Sequence, residues 1–260
     1  MKDLPAVVHR LQGPEDAREG YCCMTEVPTP WPKALCHCQD WLAINLGRYV
    51  EGYHLQLDGD GVVGHLYFAP ADRALIPYKV ESQVGVMYCE WVHLSYQKQG
   101  FGRLLFDTFL EDMEESGAKG ILVEATDIEG QMHMDHYLSR GFTKVHENGH
   151  QKLLYRPINQ TEIKIEALKP QIHPRSGFPV EILVLSGYLC PFEVSTLILL
   201  PGVAKEFGDQ VVLRQVALTP ETLKDYGAAQ GIFINGRQRL GGAESEEAIR
   251  RVIIEEIESG

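Results

Sequence analysis

Apolar and polar positions alternate with a period of two through Tyr53–Leu57 and Val62–Phe68, and Asp58-Gly59-Asp60-Gly61 lies between the two runs. Aspartate and glycine accept the positive dihedrals of a tight turn, so the pattern predicts a hairpin. Val86–Leu94, rich in β-branched and aromatic residues, predicts a further strand. It runs into Ser95-Tyr96-Gln97-Lys98-Gln99-Gly100-Phe101-Gly102, after which Phe101, Leu104, Leu105, Phe109, Leu110 and Met113 recur mostly at helical spacing. Gly117 and Gly120 close that helix, and Ile121–Ala125 predicts the next strand. A helical stretch over His133–Arg140 stops at Gly141, and Phe142–His146 pairs with Gln151–Tyr155 about Asn148-Gly149.

Pro157 and Asn159-Gln160-Thr161 mark a boundary, beyond which the pattern restarts. Strand Val180–Leu185, helix Phe192–Phe207 with a break at Pro201, strands Val211–Ala217 and Gly231–Asn235, and helix Ser245–Glu258 are expected. Two α/β domains are the economical division, residues 1–158 and 159–260, and a chain of 260 residues is long enough for both.

Composition narrows the class. With 44% hydrophobic and 23% charged residues the chain is globular in type, and a net charge of −12 argues against a polyanion partner, so nucleic acid is not expected. The longest apolar runs, such as Val180–Ser186 and Leu197–Leu200, are too short to cross a bilayer, and no charged leader precedes a long apolar segment. The expected location is the cytoplasm, with thiols reduced. A homo-oligomer stays open, because pattern fixes neither oligomeric state nor domain packing.

The loop Gln97-x-x-Gly100-x-Gly102 leaves a strand and opens a helix. Successive backbone amides at a helix N-terminus, with glycine permitting close approach, suit a phosphate anion. The spacing departs from the dinucleotide fingerprint, which needs a third glycine, and from a P-loop, which needs Gly-Lys-Ser/Thr. The pyrophosphate of another cofactor is the better expectation.

Val92-His93-Leu94-Ser95-Tyr96-Gln97-Lys98-Gln99-Gly100-Phe101-Gly102-Arg103-Leu104-Leu105, then Ile121–Ala125, then Tyr137-Leu138-Ser139-Arg140-Gly141-Phe142, closely resembles the acyl-CoA-binding core of the GNAT superfamily of N-acetyltransferases, over roughly residues 50 to 156. The resemblance implies a mixed, splayed sheet flanked by helices, with acetyl-CoA as co-substrate and a small-molecule or peptide amine as acceptor. It implies that the strand holding Val92 splays from Ile121–Ala125, leaving backbone groups near Val92 free for the pantetheine arm. Amides from Gln99 through Gly100, Phe101 and Gly102 to Arg103, after Gln97, would cradle the pyrophosphate, with Lys98 and Arg103 as charge partners. Tyr137 matches the family's general-acid tyrosine, and Glu90 lies where many members keep a glutamate base. His93 and Asp127 are weaker candidates; His133, His136 and His146 read as surface residues. Leu94 stands where members commonly carry proline, a tolerable change, and Gly130 stands where they carry asparagine, so binding is expected to rest on backbone contacts to the CoA arm.

Cys22-Cys23 and Cys36-x-Cys38, with His37 between, gather soft ligands, but the spacing is wrong for a standard zinc knuckle. Small buried thiols are the expectation, with no metal, and a thiol- or metal-handling protein is an alternative, as is an acetyl-CoA sensor without turnover. In the tail, Ile182–Glu193 and Gly231–Arg237 followed by Gly241-Gly242 resemble a thioredoxin or glutaredoxin fold, and the whole is similar to bacterial acetyltransferases bearing a YoaP-like C-terminal domain. That resemblance implies a smaller thioredoxin-like α/β domain. A helix N-terminus would lower the Cys190 pKa, yet Glu193 replaces the resolving cysteine and Gln230 stands near the expected cis-proline. A structural or partner-binding module is favoured over redox work.

Overall fold

The computed structural model describes residues 6–25, 31–174, 177–187 and 190–259. Its first elements are β1 (Ala6–Arg10), α1 (Pro14–Arg18) and α2 (Pro32–Asn45), with a single 3-10 turn at Cys22–Met24. The sequence pattern predicts none of these, because α1 is short and β1 borrows its order from pairing with the strand that follows α2. The hairpin about Asp58–Gly61 forms as expected: β2 (Glu51–Leu57) and β3 (Gly61–Pro70) are antiparallel, with positive φ at Gly59 and Gly61. Two short strands, β4 (Tyr78–Val80) and β9 (Ile165–Ala167), make a separate ribbon. Between them come β5 (Val84–Val92), α3 (Phe101–Glu115), β6 (Gly120–Thr126), α4 (Met134–Leu138), β7 (Thr143–Asn148) and β8 (Gln151–Pro157).

Seven of these strands form one mixed sheet in the order β1-β2-β3-β5-β6-β8-β7. Every pair is antiparallel except β5 with β6, which α3 joins as a crossover. The amphipathic pattern of α3 puts Leu105, Phe106, Phe109 and Met113 against the sheet, where Leu66, Phe68, Ile121 and Val123 meet them. Each such side chain is worth about 1.5–3 kcal/mol when fully buried. Two glycines let the helix come close: a Cβ at Gly64 would stand 2.9 Å from Leu105 Cδ1, and one at Gly85 2.7 Å from Met113 Sδ.

The second sheet comprises β10 (Val180–Ser186), β11 (Val211–Ala217), β12 (Gly231–Ile234) and β13 (Arg237–Leu240), in the order β11-β10-β12-β13. β10 is parallel to β11 and antiparallel to β12, and every residue of β10 is buried. Helices α5 (Pro191–Lys205), α6 (Pro220–Tyr226) and α7 (Glu246–Ser259) alternate with the strands, giving the chain order β-α-β-α-β-β-α. The break expected at Pro201 does not occur, and α5 runs through it. Leu200, Val203 and Ala204 are held in the core, while the proline itself faces water that can satisfy the carbonyl it leaves without a donor. Tyr188 and Leu189, quoted above for the resemblance of the tail, lie outside the described residues. Gln230 Oε1 accepts a hydrogen bond from the Gly187 amide at 2.9 Å.

Contacts group the chain into two units: Met1–Thr25, Leu42–Ala74 and Val80–Glu166 in one, and Glu26–Trp41, Leu75–Lys79 and Ala167–Gly260 in the other. Within the second, Trp31 meets Phe192 edge to face at 4.9 Å, which is one reason an N-terminal segment belongs with the C-terminal sheet. Among the described residues, no helix is long and apolar enough to cross a membrane.

Candidate active site

The parallel ladder between β5 and β6 ends at Met87 opposite Val123, although β5 continues to Val92 and β6 to Thr126. The outer flanks stay paired, Val92 with Gly64 of β3 and Thr126 with Gln151 of β8. The result is a wedge-shaped gap within a sheet that is held on both sides, opening toward the loop into α3. The splay expected from the sequence is present.

That loop makes a 3-10 turn at Leu94–Tyr96, capped by the His93 ring, which accepts from the Ser95 amide at 3.4 Å. Lys98 has φ +60° and Gly100 φ +92°, so two left-handed residues lead into α3. No side chain caps α3, and its first turn carries no acidic residue. The amides of Phe101, Gly102 and Arg103 therefore start the helix without intrahelical acceptors, the condition under which a helix end attracts an anion. Lys98 and Arg103 are exposed; Arg103 reaches Asp107 at 3.5 Å in a solvent-facing pair worth little. Gln99 Nε2 donates to the Ser95 carbonyl at 3.1 Å. One expectation is corrected: the Val92 carbonyl is not free, because Gln97 Nε2 donates to it at 2.9 Å. The glutamine bridges strand and loop instead, and only the second lone pair of that carbonyl remains for a ligand.

Glu90 lies on the α3 side of β5. Arg140 Nη1 stands 2.9 and 2.8 Å from its two carboxylate oxygens, and the guanidinium lies over the Phe106 ring. A Cβ at Gly102 would stand 3.5 Å from Glu90 Oε1 and 3.6 Å from Arg140 Nη2, so this ion pair forms the floor under the first turn of α3. His136 Nε2 is 3.8 Å from Glu90, with its side chain half exposed. The carboxylate expected to act as base is thus committed to a guanidinium.

Tyr137, on α4, is 1% exposed and packs edge-on to Phe142. Burial, then the charges of Glu90 and Cys89, push its hydroxyl well above the usual phenol range, against a smaller opposite effect of Arg140. It stays protonated at any physiological pH.

The opposite face of the sheet holds groups the sequence reading missed. Ile121, Val123 and Ala125 turn into the core beneath α3, so strand alternation sends Glu124 the other way, one residue past the end of the ladder. No hydrogen bond or ion pair reaches its carboxylate among the described residues, and burial alone raises its pKa to about 7. A charged residue inside the apolar run Ile121–Ala125 was the signal that could have found it. Leu66 and Phe68 likewise turn to α3, which puts His65 and Tyr67 of β3 on the Glu124 face, and Cys89 stands directly opposite Tyr67. His65 is fully buried, stacked on Tyr67 at 4.6 Å, with Cys22 Sγ 3.2 Å from Nδ1 and Cys89 Sγ 3.4 Å from Nε2. Burial lowers its pKa to about 3 and pushes the Cys22 thiol up.

Of the remaining candidates, Asp127 pairs with His150 at 2.7 Å and Lys152 at 3.2 Å. His133 caps α4, accepting from the Asp135 amide at 3.3 Å, and His146 is exposed. Cys23 is half-buried, Cys36 exposed and Cys38 buried; among the described residues no set of three or more ligating side chains is placed to hold a metal ion. The expected thiolate at Cys190 is reversed: burial first, then the charge of Glu193, raises its pKa to about 11, outweighing the amides of Phe192 and Glu193.

Residues 18–142 match the acetyltransferase (GNAT) family. The matched segment, a little under half of the chain, holds β2 through β6, the loop into α3, and α4 with Tyr137. Among solved structures, the chain is similar to the ribosomal-protein-S18-alanine N-acetyltransferase of Escherichia coli (16% identity, TM-score 0.45, 61% of this chain and 97% of that one). It is also similar to the GNAT family N-acetyltransferase YhbS of Escherichia coli in complex with CoA (18%, TM-score 0.44, 60% and 83%). A third is the PaiA N-acetyltransferase of Thermoplasma acidophilum in complex with coenzyme A (14%, TM-score 0.41, 60% and 100%). No curated protein matches the chain.

Proposed function

We propose that the unit built on the seven-stranded sheet is an acyl-CoA-dependent N-acyltransferase that transfers an acetyl group from acetyl-CoA directly to a primary amine of a small molecule or peptide. The observation that carries this reading is the gap between β5 and β6, which opens beside an uncapped helix end and next to the unpaired Glu124 carboxyl. Amides from Gln99 to Arg103 would hold the diphosphate, with Lys98 and Arg103 lending charge. Gly102 suits the task because its bare backbone leaves the helix end open above the Glu90–Arg140 floor. Bound acetyl-CoA supplies an activated thioester. Tyr137, fixed as a phenol, serves as donor to the departing sulfur. Glu124 is the better base: its pKa of about 7 makes it an anion at mildly alkaline pH, ready to take the amine proton. Glu90, held by Arg140, acts as a positioning residue beneath the loop.

The second unit supports a thioredoxin-like, YoaP-like reading through its chain order β-α-β-α-β-β-α and its sheet order. With one half-buried cysteine at the head of α5 and Glu193 in place of a second, its role is to bind a partner and not to cycle a dithiol.

Calorimetry with CoA, NAD and ATP, followed by CoA release across a panel of amines, tests the proposal. CoA alone should bind, and at least one amine should release it. Binding without release, insensitive to Tyr137→Phe, would indicate a sensor instead.

A further inference from the structure

Cys22, His65 and Cys89 form a line across the Glu124 face of the sheet, the two thiols on opposite nitrogens of one imidazole. A neutral imidazole has one N–H and one acceptor nitrogen, so the line has a direction. Cys22 Sγ lies 3.2 Å from Nδ1 but 4.0 Å from the Trp91 carbonyl, the other acceptor in reach. With its S–H on Nδ1, the ring proton sits on Nε2 and is directed at Cys89 Sγ. A donor aimed at sulfur stabilises thiolate over thiol, and His65 achieves this without becoming charged. Burial keeps both Cys22 and His65 in the neutral forms this requires.

Cys89 is the member of the line that keeps solvent contact, and it lies on β5 beyond the last rung of the ladder with β6. Its charge acts on the Tyr137 hydroxyl. The unpaired Glu124 lies on the same face of the neighbouring strand. Nucleophile, orienting ring and a third group fixing the ring's tautomer are the parts of an activated thiol.

We infer that Cys89 is a second acyl acceptor, taking the acetyl group from acetyl-CoA onto its own sulfur when no amine is present. The inference rests on the proposed occupation of the gap by acetyl-CoA. The step exchanges one thioester for another: Cys89 thiolate, its proton already lost to water, bonds to the acetyl carbon. The bond from that carbon to the CoA sulfur breaks, and the departing thiolate takes a proton from Tyr137 or water. Nothing is oxidised or reduced.

The full chain is incubated with acetyl-CoA and no amine, and in parallel with p-nitrophenyl acetate, a donor that needs no diphosphate site; peptide mass mapping locates any acetyl group, and calorimetry reports CoA binding. One acetyl group on Cys89, removed by neutral hydroxylamine and absent from Cys89→Ser, is expected with both donors. Alkylation of Cys89 by iodoacetamide should slow about tenfold in Cys22→Ala, which loses the tautomer control, and stay near wild type in Cys22→Ser, which keeps a hydroxyl donor. Cys36, exposed on α2, is the internal reference and should react alike in all three proteins. Labelling of Cys89 by the nitrophenyl ester, with no CoA binding, would sink the acetyl-CoA reading and with it acetylation from that donor. CoA binding with Cys89 unlabelled by either donor would overturn the inference alone, as would equal alkylation rates in wild type and Cys22→Ala.

Discussion

Arg140 Nη1 holds both carboxylate oxygens of Glu90, at 2.9 and 2.8 Å, with the two side chains only 15% and 4% exposed. Removing one partner leaves a buried charge alone, which costs about 3–5 kcal/mol, whereas replacing both by apolar groups of similar size costs far less. Arg140→Met should therefore lower the urea midpoint strongly, and the double variant with Glu90→Leu should recover most of the loss. Equal losses in the single and double variants would show that the pair is not coupled.

Glu124→Gln should reduce amine acetylation by about a hundredfold or more, with CoA affinity kept. In the wild type, the rate should rise with pH through an inflection near 7, the value to which burial raises this carboxyl, and the variant should lose that inflection. A pH–rate profile of both proteins checks it; an unchanged inflection would assign the base elsewhere.

Tyr137→Phe should keep the fold, since the ring packs on Phe142 and the hydroxyl alone is lost. The turnover number should fall about a hundredfold with little change in KM, the signature of an interaction made on the way to the transition state.

Gly100 stands at φ +92° as the residue before α3, where a side chain is strained. Gly100→Ala should lower stability by about 1 kcal/mol and weaken CoA binding more than it weakens the fold, because the strain is relieved by turning the amides that follow. Thermal melts and calorimetry on one preparation separate the two effects.

Two buried histidines make the fold acid-sensitive. Burial holds His65 to about 3 and His54 to about 4, below the ordinary 6.5, so the unfolded chain binds protons that the folded one refuses. Stability should be intact above pH 6.5 and fall as pH drops toward 3. Glu124 has the opposite sign: its raised pKa favours the folded state below about 4.5 and costs stability as pH rises through 7, so Glu124→Gln should gain about 1–2 kcal/mol at pH 8. Urea midpoints between pH 4 and 8 read both.

Periodicity and turn chemistry were enough to specify the β2–β3 hairpin, α3, β6, the β7–β8 pair and most of the C-terminal sheet. They also marked the loop before α3, because period-two runs, Asp-Gly turns and helical spacing are local signals. The tertiary structure decided what those signals could not reach. It set Glu90 against Arg140, fifty residues away, and left Glu124 without a partner. It also placed Cys22 and Cys89 on one imidazole and carried α5 through Pro201. Each of these outcomes depends on which side chains long-range packing brings together and how deeply it buries them, and burial changes a titratable group's chemistry in ways no neighbour in the chain records.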